Sequence, residues 1–296
     1  MNTIIAINEK YLEPTKTMLY SLACQHEEHL VVYLLQSSIR KEKLDELEAF
    51  LESRCHGSLV VIPIDPSLFA NVPKQKWLSE ETYYRLISFA LLPENVDRVL
   101  WLDGDIIVKG NISELYYADF EGQYAVVCAE GSTQHHSRLG LSESHRYFNA
   151  GVVLYNMELI RKNHTIQDVF ECIEVHKTHL DLMDQDILNV LFENRVKYMD
   201  ADEYNYEAFG FNVLTKAQMA EIRDKAKIIH YKGSKKPWNP KGANWADGYW
   251  WKYERMRGDR YIAVLDYRFR HFPVKVWHVL REVYFLVYSQ MKKIRK

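Results

Sequence analysis

Short, mostly apolar runs alternate with amphipathic stretches through the first third of the chain. Thr3–Asn8 (TIIAIN), Val31–Gln36 (VVYLLQ), Leu59–Ile64 and Arg98–Leu102 (RVLWL) read as strands. Runs this short and this apolar suit parallel strands buried on both faces. Between them, Glu13–Cys24 reads as a helix that tolerates Pro14 in its first turn. Arg40–Arg54 places Leu44, Leu47 and Leu51 on one helical face, and Glu80–Leu92 is a helix stopped by Pro93. This alternation predicts an α/β fold, a Rossmann-like, mostly parallel sheet flanked by helices. Ligands of such sheets bind beyond the carboxyl ends of the strands. That rule singles out Asn8, after the first strand, and Asp103, after the fourth.

Beyond Asp105 the pattern is mixed. Gln123–Ala129 and Asn149–Tyr155 read as strands, Thr165–Lys177 and Asp184–Glu193 as helices, and Lys227–His230 as a short strand entering HYKGSKKPW. No repeat or Pro/Gly/Ser linker divides the chain, so residues 1–258 are expected to form one catalytic domain, followed by a tail, 259–296. From Asp266 onward eight Lys and Arg residues are opposed only by Asp266 and Glu282. Val276, Leu280, Val283 and Val287 share a helical face there, among many aromatics. A basic, aromatic amphipathic helix suits the surface of an anionic membrane, and docking of a terminal helix on the domain is the plainer alternative. No stretch reaches the length of a bilayer-spanning helix, and MNTIIAINEKY lacks the features of a signal peptide. The expected location is therefore cytoplasmic, peripheral on the inner membrane surface.

Composition narrows the function. Lys plus Arg total 38 against 40 for Asp plus Glu, a balance that argues against a nucleic-acid partner. Cys24, Cys55, Cys128 and Cys172 are scattered without short spacings, as free thiols would be.

The chemistry gathers at LDGDIIV. Asp103 and Asp105 are separated by one glycine and flanked by apolar runs. Two neighbouring carboxylates in such a setting repel each other and lose hydration. A hard divalent cation relieves both penalties and suits a diphosphate; a solvated turn is the bland alternative. His230 follows the apolar KAKII, where a lone imidazole is more often a core residue than a ligand. The nearby Gly233, Lys235 and Lys236 favour a phosphate site, beside which a neutral imidazole is a good third ligand. Asn149 reads as a strand cap or as an amide donor to sugar hydroxyls. Asp184, Gln185 and Asp186 open a helix, where acids also serve as caps. Arg85 reads as a helix-surface salt bridge or a bidentate anion contact. Trp238, Trp245, Trp250 and Trp251 pack by default, with acceptor stacking open to an exposed subset.

Five blocks in order, AINEKY (6–11), TYYRL (82–86), LDGDIIV (102–108), FNAGVVLYN (148–156) with DQDILN (184–189), and HYKGSKKPW (230–238), make the chain resemble glycosyltransferase family 8. The family comprises retaining enzymes, including lipopolysaccharide galactosyl- and glucosyltransferases. The resemblance implies a GT-A fold, a UDP-sugar donor and Mn²⁺, with Mg²⁺ as the alternative ion. It implies that Ala6, Asn8 and Tyr11 line the uridine pocket and that Arg85 reaches the sugar or diphosphate. Asp103, Asp105 and His230 would hold the metal, Asp103 also touching the ribose side, and Gly233 and Lys236 would contact the diphosphate. Asn149, Asp184 and Gln185 would surround the transferred sugar, with Gln185 nearest the anomeric carbon. Asn8 departs from the aspartate common in the family, which removes charge assistance from base recognition. The implied activity is transfer of glucose or galactose to a glycan or lipid-linked glycan acceptor in cell-surface polysaccharide synthesis. A UDP-sugar hydrolase and a non-catalytic membrane-bound glycan-binding protein are the competing readings.

Overall fold

The computed structural model describes residues 1–73, 79–131, 134–208, 220, 223–234, 236–239 and 246–259. The chain divides into two compact units: Met1–Glu207 with Leu214–His230, and Ala208–Val213 with Tyr231–Lys296. The basic tail from Asp266 lies outside the described residues. Among the described residues no helix is long and apolar enough to cross a membrane.

The first unit opens with β1 (Asn2–Ala6), α1 (Leu12–Ala23), β2 (Leu30–Gln36), α2 (Lys41–Cys55) and β3 (Gly57–Pro63), close to the segments read from the sequence. A 3₁₀ segment, Glu80–Ile87, runs into the short α3 (Ser88–Leu91). The sequence pattern predicts one α-helix here, and the structure corrects it. Tyr83, Tyr84, Arg85, Leu86 and Ile87 are all buried in succession, which a helix with a single inward stripe does not supply. Next come β4 (Arg98–Leu102), β5 (Ile106–Val108), α4 (Ser113–Tyr116), β6 (Ala125–Ala129), α5 (His135–Leu139) and β7 (Phe148–Asn156). They are followed by α6 (Met157–Asn163), α7 (Ile166–His176), α8 (Asp184–Leu191), β8 (Val196–Met199), α9 (Ala201–Tyr204), β9 (Tyr206–Glu207) and β10 (Ile228–His230). Thr165 and Asp168 close a reciprocal capping box at the start of α7, each side chain satisfying the other's backbone N–H.

Seven strands form the main sheet in the order β3-β2-β1-β4-β7-β6-β8. β7 runs antiparallel to β4 and to β6, and the other neighbours pair in parallel. Alternate residues feed two cores. Ile4, Leu35, Val99, Trp101 and Val153 face one, while Ile5, Leu34, Leu100, Leu102 and Val152 face the other. Both faces are thus covered, which explains why the strands read as continuous apolar runs. The strand order reverses between β1 and β4, so the crevice expected to hold a ligand lies beyond Ala6 and Leu102.

A smaller sheet, β5-β10-β9, sits at that end. β10 pairs antiparallel with β5, His230 opposite Ile106, and parallel with β9, His230 opposite Glu207. Asp105 and Asn205, which immediately precede the Ile106 and Tyr206 strands, are therefore brought to the two sides of one histidine.

In the second unit, Trp250 is fully buried against Tyr231 and Trp238 in the helix Asp247–Arg257. Trp251 donates its indole N–H to the Pro237 carbonyl. These tryptophans serve packing, the plainer of their two readings; Trp245 lies outside the described residues.

Candidate active site

Asp103 and Asp105 follow β4, and their carboxylates meet the imidazole of His230. His230 Nε2 lies 3.2 Å from Asp105 Oδ1 and 3.7 Å from Asp103 Oδ2. One ligand atom from each of the three residues falls within 4.8 Å of the others. A six-coordinate ion with bonds of about 2.1 Å places adjacent ligands about 3 Å apart and opposite ones about 4 Å apart. Two carboxylate oxygens and one imidazole nitrogen at these spacings suit a divalent cation, with room in the coordination number for other oxygens. The structure therefore brings together the three residues expected to hold a metal.

Two glycines make that approach feasible. A Cβ on Gly151 would sit 2.2 Å from His230 Cε1 and 2.8 Å from Nδ1, so the imidazole rests directly on the β7 backbone. Gly151 also aligns the acids, accepting the Asp103 backbone N–H at 2.9 Å. At Gly104 a Cβ would meet Thr15 Oγ1 of α1 at 2.6 Å. Gly104 thus makes room for a helix side chain.

Arg85 occupies the interior, 5% exposed, rather than a helix surface. Its guanidinium bonds Asp103 Oδ1 at 2.9 Å and Asp184 Oδ2 at 2.9 Å, donates to the Ala150 carbonyl, and stacks 4.1 Å from the Trp101 ring. Trp101 adds an indole N–H to Asp103 Oδ1 at 2.8 Å. Asp103 is thereby fixed through one oxygen while its other faces His230.

Asp184 and Asp186 divide their work. Burial pushes Asp184 up to about 6, against the opposing pull of Arg85 and with the Asp103 charge adding to the rise. Asp186 is just as hidden, and burial would raise it. The Arg138 guanidinium, the Tyr147 hydroxyl and the backbone N–H groups of Leu182 and Asp181 outweigh burial and hold it below the usual carboxylate range. Asp186 is a structural anchor for α8. Met183, just before α8, has φ 45° and ψ −108°, an unfavourable backbone for a side chain of that size. That turn introduces Asp184 and Gln185, both buried, into the site.

Gln185 and Asn149 are linked, Asn149 Nδ2 donating to Gln185 Oε1 at 2.8 Å. Gln185 Nε2 donates in turn to Glu130 Oε2 at 3.1 Å and Tyr147 Oη at 3.2 Å. Asn8 caps the 3₁₀ turn Glu9–Tyr11, accepting the Lys10 N–H at 3.2 Å, and donates to Glu81 Oε2 at 3.4 Å. Tyr11 lies beside the acid motif, since a Gly104 Cβ would touch its ring at 3.4 Å. Ala6 ends β1. In the second unit, Gly233 adopts a left-handed φ of 72°, and Lys236 Nζ donates to the Tyr231 carbonyl at 2.7 Å. Sequence reasoning missed Asn205, Glu130, Tyr147 and Met183. None sits in a motif, and only Asn205, a buried amide among aromatics, breaks its local pattern.

Comparison with known proteins agrees with this geometry. Residues 2–242 match the family described as Glycosyl transferase family 8, and the chain belongs to that family. It is 30% identical to the lipopolysaccharide 1,3-galactosyltransferase of Salmonella typhimurium, over 75% of this chain and 68% of that protein. It is 28% identical to the glycosyltransferase GlyE of Streptococcus pneumoniae, over 86% of this chain and 60% of that one. The chain thus spans about three fifths to two thirds of the length of these curated relatives. Among solved structures, the galactosyltransferase LgtC in complex with donor and acceptor sugar analogues superposes with a TM-score of 0.74. That match has 24% identity and covers 87% of this chain and 95% of LgtC. The fold is the GT-A fold.

Replacing Gly151 by Ala drives a methyl group into the imidazole. Gly151→Ala is expected to weaken Mn²⁺ binding by about tenfold or more and to lower stability by about 1–3 kcal/mol. Electron paramagnetic resonance and urea unfolding read the two effects. A second expectation concerns Asp184, whose proton is held more tightly in the folded chain than in the unfolded one. The folded state then carries the extra proton between about pH 4 and pH 6, so stability falls as pH rises through that window. The unfolding free energy of the wild type minus that of Asp184→Asn is expected to drop by about 2–3 kcal/mol from pH 4 to pH 7. Urea titrations of the metal-free protein across that range measure the difference.

Proposed function

We propose that the chain is a metal-dependent retaining hexosyltransferase that takes glucose or galactose from a UDP-sugar and places it on a glycan acceptor. The observation that carries this reading is the convergence of Asp103, Asp105 and His230 at the strand-order switch of the main sheet. These three residues would hold Mn²⁺ or Mg²⁺, which supplies positive charge to a leaving diphosphate. Arg85 holds Asp103 and Asp184 in place through two ion pairs, and so sets the distance between the metal side and the sugar side of the site. This positioning complements the diphosphate contact expected of Arg85. Asp184 accepts hydrogen bonds from sugar hydroxyls once ionised. Asn149 and Gln185 present their amides to the sugar, Gln185 nearest the anomeric carbon. Gly233 and Lys236 add backbone and ammonium contacts to the diphosphate. Ala6, Asn8 and Tyr11 receive the uridine; Asn8 already shares its carbonyl oxygen with the Lys10 N–H, so its approach to the base is set by the 3₁₀ cap.

Cleavage of the anomeric C–O bond leaves a sugar with oxocarbenium character and a charged diphosphate. Gln185 is a poor nucleophile, so retention follows from attack on the same face, the departing phosphate taking the acceptor proton. Members of this family that act on lipopolysaccharide motivate a lipid-linked or cell-surface glycan as acceptor. The basic residues after Asp266 would hold the enzyme at the cytoplasmic face of the membrane, next to such an acceptor.

A panel of UDP-sugars assayed for Mn²⁺-dependent release of UDP tests the proposal. One UDP-hexose is expected to give acceptor-dependent turnover, and Asp103→Ala to lower it by about a hundredfold or more. Release that ignores added acceptor would instead indicate hydrolysis, and no metal-dependent release from any UDP-sugar would contradict the assignment.

A further inference from the structure

A chain of three amides connects the β7 backbone to His230. Its orientation can be read without seeing a hydrogen atom. The pairing of β6 with β7 slips between Val127, opposite Val153, and Cys128, opposite Asn149. The backbone N–H groups of Ala150 and Gly151 turn to side chains: Ala150 N–H donates to Gln185 Oε1 at 3.0 Å and Gly151 N–H to Asn149 Oδ1 at 3.0 Å. A backbone N–H donates and never accepts, so both contacting atoms are oxygens. Asn149 Oδ1 also faces Asn205 at 2.8 Å, so Asn205 must present its NH₂ there. Its carbonyl oxygen then faces His230 Nδ1 at 3.0 Å. An oxygen at that distance requires a proton on Nδ1; in the neutral ring Nε2, the nitrogen turned to Asp103 and Asp105, then carries the lone pair.

We propose that Asn205 is the positioning residue that fixes His230 as the Nδ1–H tautomer and so keeps Nε2 unprotonated for the metal. The role rests on reading Asp103, Asp105 and His230 as a metal site. The alternative tautomer needs Asn205 reversed, which sets its oxygen against Asn149 Oδ1. Reversing Asn149 as well sets its NH₂ against the Gly151 N–H. The Gly151 N–H and Asn205 thus decide which imidazole nitrogen is the ligand, and Gly151 also gives the ring its space. Outer partners of this kind orient metal-binding histidines and raise their basicity.

The test uses the full chain with ¹⁵N-labelled histidine, His230 being assigned by comparison with His230→Gln. In metal-free protein, at a pH where the ring is neutral, long-range ¹H–¹⁵N spectra are expected to show Nδ1–H and bare Nε2 for His230. Nε2–H with bare Nδ1 would overturn the proposal, whatever the variants do. Asn205→Leu is expected to lose the tautomer preference and to weaken Mn²⁺ binding in the presence of UDP by about 10–100-fold. Asn205→Asp keeps an acceptor toward Nδ1–H and is expected to keep the tautomer, at a cost in stability because its second carboxylate oxygen meets Asn149 Oδ1. Unchanged Mn²⁺ affinity and tautomer in a folded Asn205→Leu would overturn the proposal. Wild-type protein that binds no Mn²⁺ would remove the metal reading itself, a failure distinct from a wrong tautomer.

Discussion

Negative charge crowded beyond the end of β4 is the constraint that the rest of the site answers to. Asp103 and Asp184 share one guanidinium, Arg85, and Asp105 lies against His230 beside Asp103, in a region largely shielded from water. Three carboxylates against one guanidinium leave a formal charge of −3 + 1 = −2 when all are ionised, as long as His230 is neutral. Such an excess is costly in a medium of low polarity. Part of it is relieved at Asp184, whose proton burial holds to unusually high pH for a carboxyl group. A divalent cation among Asp103, Asp105 and His230 would relieve the remainder. Charge balance as well as ligand geometry would thus favour such an ion.

Strand pairing turns residues distant in sequence into this arrangement. The parallel half of the main sheet brings the ends of β1 and β4 together, and the short sheet of β5, β10 and β9 lays His230 between Asp105 and Asn205. β7, the reversed strand, passes beneath with Gly151 at the point of closest approach. The slip between β6 and β7 frees two peptide N–H groups for side chains, a local loss of ladder bonding that orders the amides of Asn149 and Gln185. On the far side Asp186, held by Arg138 and Tyr147, anchors the helix that carries Asp184 and Gln185. The same polar network thus supports both the Asp103–Asp105–His230 cluster and the start of α8.

Much of this was legible in the sequence because the chemistry lies where apolar runs stop. The short strands before Asn8 and Asp103 announced a sheet and its switch point, and two acids between apolar segments pointed to the cluster that His230 completes. Other features carried no local signature. An apolar run such as FNAGVVLYN looks the same whether its neighbours are parallel or antiparallel, so the reversal of β7 is a tertiary fact. Five buried residues in succession from Tyr83 defeat a reading based on one helical stripe, and Glu80–Ile87 is a 3₁₀ segment. Arg85 could be read either as a helix-surface salt bridge or as an anion contact, because its two acidic partners are 18 and 99 positions away along the chain. Asn205 was invisible because an amide's importance depends on which atoms it faces, and those are set by β7 and β10.

The most direct measurement of the central claim is anomalous diffraction at the manganese edge from crystals grown with UDP and Mn²⁺. One strong peak is expected about 2.0–2.3 Å from an oxygen of Asp103, an oxygen of Asp105 and Nε2 of His230. A peak elsewhere, or His230 turned from the two aspartates with nucleotide bound, would contradict it.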